Sequence, residues 1–186
     1  MNSDRAIIQD MIERLAKERN EAMLDNKKFM FRALGRGEAE YWGQLIAKQF
    51  PWNSLGYDKD VLARFLARYA ESAVVLECGG EPISISVVKP DWFFGDLISL
   101  FIVMPPFQGK GFGRAMLEYV ERRNFSKHRN MWITTTNINK NAIKFYKKHG
   151  YKEIGYIPDL LVKGSVEILV RKTEGPVLTV KRDMED

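Results

Sequence analysis

The chain is poor in the residues that build metal centres and covalent staples. Its 186 residues include one cysteine, Cys78, and two histidines, His128 and His149. A single cysteine excludes an internal disulfide and a cysteine-based zinc cluster, and neither histidine has a spacing partner, so no metal site is expected. Long apolar runs are missing too. The longest, Leu97 to Phe107, is broken by Ser99 and by Pro105-Pro106, far short of the roughly 20 residues of a membrane helix. Asp4, Arg5, Asp10, Glu13 and Arg14 stand where a signal peptide needs an apolar segment. These absences predict a cytoplasmic chain without membrane association. Repeats and low-complexity tracts are absent, and 45% apolar with 28% charged residues is the composition of a globular domain.

Charge is unevenly spread. Residues 1–104 hold 13 Lys and Arg against 15 Asp and Glu, whereas residues 105–186 hold 16 against 9. A basic second half suits an anionic ligand, either the phosphates of a small molecule or nucleic acid, and it equally suits a solvated lysine-rich face. No aromatic-interleaved basic stripe or reader motif supports nucleic acid, so none is expected as a partner.

Hydrophobic spacing divides the chain into elements. Ile8, Met11, Ile12, Leu15 and Ala22 or Met23 share one side of a helix predicted from Arg5 to about Asn26. A short strand follows at Phe29–Leu34, then helices at about Glu38–Gln49 and Asp58–Tyr69. Strands at Ala73–Cys78 and Pro82–Val88 are joined by Gly79-Gly80, a tight-turn signal. Asp96–Met104 reads as a buried strand. A helix after Gln108–Gly113 has the apolar face Phe112, Met116, Tyr119 and Val120. A strand (Met131–Thr136), a helix (Asn139–His149) and two strands (Tyr151–Tyr156, Ser165–Lys172) complete an α/β order with helices on both faces of a mixed sheet.

The turn Gln108-Gly109-Lys110-Gly111-Phe112-Gly113-Arg114 joins a buried strand to a helix. The first amides of a helix lack intrahelical partners, and with the helix dipole they attract anions. Glycines let the backbone approach phosphate oxygens, and Lys110 and Arg114 add positive charge. A Walker loop fails because Gly111, not Ser or Thr, follows Lys110. A dinucleotide fingerprint fails because the turn runs G-x-G-x-G. The pattern Q-x-x-G-x-G that remains fits a pyrophosphate cradle of the kind that holds coenzyme A, and a plain strand–helix connection could carry the same glycines.

The stretch Phe101-Ile102-Val103-Met104-Pro105-Pro106-Phe107-Gln108-Gly109-Lys110-Gly111-Phe112-Gly113 closely resembles the acetyl-CoA motif of the GCN5-related N-acetyltransferases, the GNAT superfamily. A second block, Asn139 through Tyr151, resembles that family's N-x-x-A-x-x-F-Y-x-K-x-G-F/Y element, with Asn139, Ala142, Phe145, Tyr146, Lys148, Gly150 and Tyr151 in place. The resemblance implies an α/β fold with a mixed, mostly antiparallel sheet of about seven strands, a splayed central parallel pair, and helices on both faces. Residues 28–172 would form the acetyltransferase domain, residues 1–27 an amphipathic helical extension, and residues 173–186 a charged tail.

The resemblance also implies roles. Phe101 and Val103 would give main-chain bonds to pantetheine, and an amide near Ile102–Val103 would polarise the thioester carbonyl. Gln108, Gly109, Lys110, Gly111, Phe112, Gly113 and Arg114 would hold the pyrophosphate. Asn139 matches a cofactor-contacting position and is equally a helix N-cap. Tyr146 matches the position whose hydroxyl protonates the departing thiolate, and it also belongs to the apolar face of its helix. The family's glutamate base falls at Leu97, which leaves Asp96 or Ser99, directly or through water, as alternatives. Cys78 fits a core position better than an acyl-carrying nucleophile. The acceptor side would be framed by Phe50–Asp58, with Trp52 and Tyr57, by Ile157–Gly164, with Asp159, and by Trp92–Phe94. The expected activity is acetyl transfer from acetyl-CoA, as co-substrate, to a small-molecule amine or peptide N-terminus. The alternative is a non-catalytic acyl-CoA-binding module. The N-terminal extension is compatible with a homodimer.

Overall fold

The computed structural model describes residues 21–24 and 27–178, with side chains from residue 28 onward. Among the described residues, eight strands form one sheet: β1 (Glu21–Leu24), β2 (Lys27–Ala33), β3 (Ala73–Cys78), β4 (Glu81–Lys89), β5 (Gly95–Val103), β6 (Asn130–Thr136), β7 (Lys152–Pro158) and β8 (Val166–Thr173). Their order is β1-β2-β3-β4-β5-β6-β8-β7. Every neighbouring pair is antiparallel except β5–β6, which is parallel. The α-helices among the described residues are α1 (Glu38–Ala47), α2 (Lys59–Arg68), α3 (Phe112–Phe125) and α4 (Lys140–Lys148).

The sheet has a core on each face. Trp42 and Ile46 of α1 and Leu62 and Leu66 of α2 pack on Ala73, Val75, Ile85, Val87, Leu100 and Ile102. On the other face Met116, Leu117 and Val120 of α3, with Ile143 and Tyr146 of α4, pack on Leu76, Ile83, Ile98, Met131, Ile133, Ile168 and Val170. Each large aliphatic side chain so buried contributes about 1.5–3 kcal/mol. Two irregularities redirect the period-two alternation. β3–β4 pairing passes from Leu76↔Ser84 to Glu77↔Pro82, leaving Ile83 as the extra residue. β4–β5 pairing passes from Val87↔Leu100 to Val88↔Ile98, leaving Ser99 as the extra residue. Such bulges bend a strand and raise its twist.

The sheet therefore has one strand more than the sequence leads one to expect. The predicted N-terminal helix lies outside the described residues up to Asn20, but its last stretch, Glu21–Leu24, is strand, paired antiparallel with Lys27–Met30. β2 offers an open edge whose amides and carbonyls need partners, and a local spacing pattern cannot register that distant demand. The predicted tail starts at Thr173, which is instead the last residue of β8. Residues 179–186 lie outside the described residues. No helix among the described residues is long and apolar enough to cross a membrane.

Candidate active site

The β5–β6 seam is closed along half its length. Parallel pairing runs from Gly95↔Asn130 to Ile98↔Ile133 and ends there. On its other side β5 stays paired with β4 as far as Ser84↔Val103, and β6 stays paired with β8 as far as Thr136↔Glu167. The two strands part at the Ser99 bulge, each still held by its outer neighbour.

Antiparallel alternation decides which groups face the opening. The Met104 amide donates to the Ile83 carbonyl at 2.8 Å, so Ile102 and Leu100, two and four residues back, turn their backbone groups to β4. The Ile102 carbonyl also accepts from Ser84 Oγ at 2.7 Å. The amides and carbonyls of Phe101 and Val103 consequently face away from β4, into the opening. Gln108 Nε2 donates to the Val103 carbonyl at 2.8 Å from that side. The backbone groups of Phe101 and Val103 thus line the opening, whereas those of Ile102, expected beside them, do not. Its backbone belongs to β4, and its side chain is buried against α1 and α2.

The glycine turn lies at the end of the opening. Gly109 and Gly111 have φ of 73° and 98°, values that other residues adopt only with strain. Gly111 is the N-cap of α3, with no side-chain cap. The first helical bond runs from the Ala115 amide to the Gly111 carbonyl at 3.1 Å, leaving the amides of Phe112 and Gly113 at the helix mouth. A Cβ placed on Gly109 would meet nothing within 4 Å, whereas one on Gly113 would touch Val103 and Phe145 at 3.5 Å. The mouth is thus open on one side and packed against the seam on the other. Lys110 is exposed. Arg114 Nε pairs with Glu118 Oε1 at 2.6 Å, and Phe112 is a core residue stacked on Phe29.

α4 closes the same side. Asn139 is its N-cap, its Oδ1 accepting from the Ala142 amide at 3.2 Å. His149 is its C-cap, with Gly150 at φ 89° after it. The Tyr146 ring stands edge-on to Phe101 at 6.2 Å and is 4% exposed. Burial raises the pKa of its hydroxyl well above the ordinary tyrosine value, so it stays protonated and is available as a proton donor.

The other face carries a feature that sequence reading missed. Ile133↔Val170 and Thr135↔Ile168 are cross-strand pairs, and Ile133, Val170 and Ile168 lie in the α3/α4 core. Thr136↔Glu167, one residue on, therefore points toward the α1/α2 side, because paired residues share a face and successive ones alternate. Glu167 is 2% exposed, its Oε1 is buried without a hydrogen-bond partner, and burial raises its pKa. Tyr57, half-buried between α1 and α2, has its own pKa raised by burial and then by the charge of Glu167. The two residues are thus electrostatic neighbours. Only one signal exists in the sequence: a lone acid in an otherwise apolar strand, Val166–Val170.

The remaining predicted acceptor residues are scattered. Trp52 packs against the α1/α2 core. Ser99 is the bulge residue, and its Oγ donates to the Val87 carbonyl at 3.3 Å. Asp159, at φ 54°, shapes the β7–β8 loop by accepting from the Gly164 amide. Asp96 pairs with Met131, so it faces the α3/α4 side at the closed end, away from Tyr57 and Glu167. There its amide donates to Asn124 Oδ1, and its Oδ1 lies 3.3 Å from His128 Nε2. Asp91, Asp96 and His128 bring one ligand atom each within 4.8 Å of one another. Sequence spacing hides that grouping, because three separate segments supply it. Trp92 and Phe93 pack on Trp132 at 5.6 and 5.7 Å, also at the closed end.

A model of the Acetyltransferase (GNAT) family matches residues 39–151. No curated protein matches the chain. The solved structure of Ard1 from Thermoplasma volcanium is 18% identical, with 81% of this chain and 99% of that one covered at a TM-score of 0.64. A GNAT-family acetyltransferase from Bacillus cereus is 14% identical, with 80% and 99% covered at 0.62. A GNAT-family acetyltransferase from Elizabethkingia anophelis, solved with acetyl-CoA bound, is 18% identical, with 81% and 99% covered at 0.58. At these identities the likeness is one of fold.

Proposed function

This chain belongs to the GNAT acetyltransferase family, and from that premise we propose that it transfers an acetyl group from acetyl-CoA to a primary amine by direct attack while both substrates are bound. The observation that carries the reading is the half-open seam, with the Phe101 and Val103 backbone at its edge and the uncapped mouth of α3 at its end. A strand-like amide chain finds donors and acceptors along Phe101 and Val103, and a diphosphate finds the amides of Phe112 and Gly113 with Lys110 alongside. The acetyl-CoA-bound neighbour of the same fold supports this choice of donor.

Acetyl-CoA would supply the acyl group as a thioester, whose C–S bond breaks as the amine nitrogen forms the new C–N bond. The chain's part is mainly positioning. The Val103 amide faces the opening and suits the developing oxyanion. Tyr146, kept protonated by burial beside Phe101, suits donation to the departing sulfur. Isothermal titration with acetyl-CoA, followed by product detection with a panel of amines and peptides, tests the reading. Saturable binding and an acetylated product are expected. Absence of binding at sub-millimolar concentration would remove the donor assignment, and binding without product from any acceptor would favour a non-catalytic acyl-CoA-binding module.

A further inference from the structure

We propose that Glu167 receives the ammonium group of the acceptor and takes its proton, delivering a neutral amine to the open half of the seam. This rests on the amine-acetylation reading above. Placement is the first argument. Glu167 pairs with Thr136 on the last rung of β6–β8, one strand away from the opening between β5 and β6, and on the face that carries α1, α2 and Tyr57. The face opposite holds Tyr146, to which the reading above gives the proton for sulfur. A carboxylate and a phenol on opposite faces of one gap suit an amine entering from one side and a thiolate leaving on the other.

The second argument is the state of the carboxyl group. Its Oε1 is buried and has no hydrogen-bond partner, and a polar atom in that condition costs free energy that a fold normally avoids. Among the groups on its face are Thr136 on β6 and Ile157 on β7, its cross-strand partners, and Leu100 and Ile102 on β5. None of these four is charged. On β8 itself the nearest charge on that face is Arg171, four residues away, and from the α1–α2 loop the titratable neighbour is Tyr57. An ammonium group supplies the missing partner as both a hydrogen-bond donor and a positive charge. The proton balance is simple. The ammonium passes one proton to the carboxylate, giving amine and carboxylic acid, and the nitrogen lone pair so released attacks the thioester carbonyl. A carboxyl group whose pKa is raised by burial is the stronger base for that transfer.

The test uses the full chain with saturating acetyl-CoA and three acceptors: butane-1,4-diamine, benzylamine and an alanyl tetrapeptide. In E167Q, kcat/KM for the acceptor should fall about 100-fold, while the acetyl-CoA Kd and melting temperature hold. The rise of kcat/KM with pH should also move up to the ionisation of the free amine, because only molecules already neutral can react. E167D keeps a carboxyl group and should keep the wild-type position of that rise at reduced activity. A purely structural role would lower melting temperature and cofactor affinity with the rate and leave the pH profile in place. Should E167Q match wild type in rate or retain its pH profile, the role of Glu167 is overturned while acetyl transfer stands. Wild-type protein that yields no product from any of the three amines sinks the reaction and this role together.

Discussion

The two halves of the β5–β6 seam are built by opposite means. In the closed half, side chains reinforce the backbone pairing. Asn130 Nδ2 donates to the Phe94 carbonyl and Trp132 Nε1 to the Phe93 carbonyl, while Asn124 and His128 hold Asp96. Gly95 permits the close approach, since a Cβ there would collide with the Asn130 carbonyl, its carbon only 2.7 Å away. In the open half, β5 and β6 exchange no rung, and the Val103 carbonyl is met by the Gln108 side chain. A sheet normally covers its backbone edges. Here the closed half and the outer neighbours supply the pairing, and the open half keeps amides that β6 does not pair. The asymmetry is a matter of where pairing stops.

That contrast can be broken most severely at Gly95. G95A should destabilise the fold by about 3 kcal/mol or more, because the clash is with backbone that cannot rotate away. Chemical denaturation measures the loss, and a variant as stable as wild type would mean the closed half is not under that constraint. Next comes Tyr146, at the open half. Y146F should lower kcat about 100-fold at unchanged acetyl-CoA Kd. Burial raises the tyrosine pKa, so its neutral, donating form persists as pH rises, and wild-type kcat should show no fall from its ionisation below about pH 10. A fall well below that value that disappears in Y146F would reverse the sign of this assignment.

Smaller effects sharpen the comparison. G111A forces a side chain into φ 98° and should cost about 1–2 kcal/mol, with acetyl-CoA affinity falling further than in variants of equal stability elsewhere. Titration calorimetry beside melting curves separates the two. N139A removes the α4 cap and should cost about 1 kcal/mol. Its effect on acetyl-CoA affinity decides whether Asn139 does more than cap, which the bond to the Ala142 amide accounts for already.

Much of this architecture was legible before any coordinates. Strand Ala73–Cys78 matches β3 end to end, and the other core elements fall within a few residues of their predicted limits. The apolar face Phe112, Met116, Tyr119, Val120 is buried throughout. Such features are local, set by spacing, caps and glycines a few residues apart. Placements that the same reading could not reach lie on strands or loops whose meaning depends on a distant neighbour. Asp96 faces α3 because of its register against Met131, and Ile102 serves β4 because of its register against Ile85. Glu167 was missed because its surroundings come from β6, β7 and the α1–α2 loop.

By itself, then, the order of residues determined the elements, the glycine mouth of α3, the cap of α4 and the family pattern, because each follows from interactions within a few residues along the backbone. Only the tertiary structure decided that Glu21–Leu24 is strand, that Ser99 is the residue at which the seam parts, and that Glu167 stands on the face opposite Tyr146. Strand pairing sets those outcomes. A shift of one residue in register turns every following side chain and amide to the other side, and the partner that fixes the register lies far away in sequence.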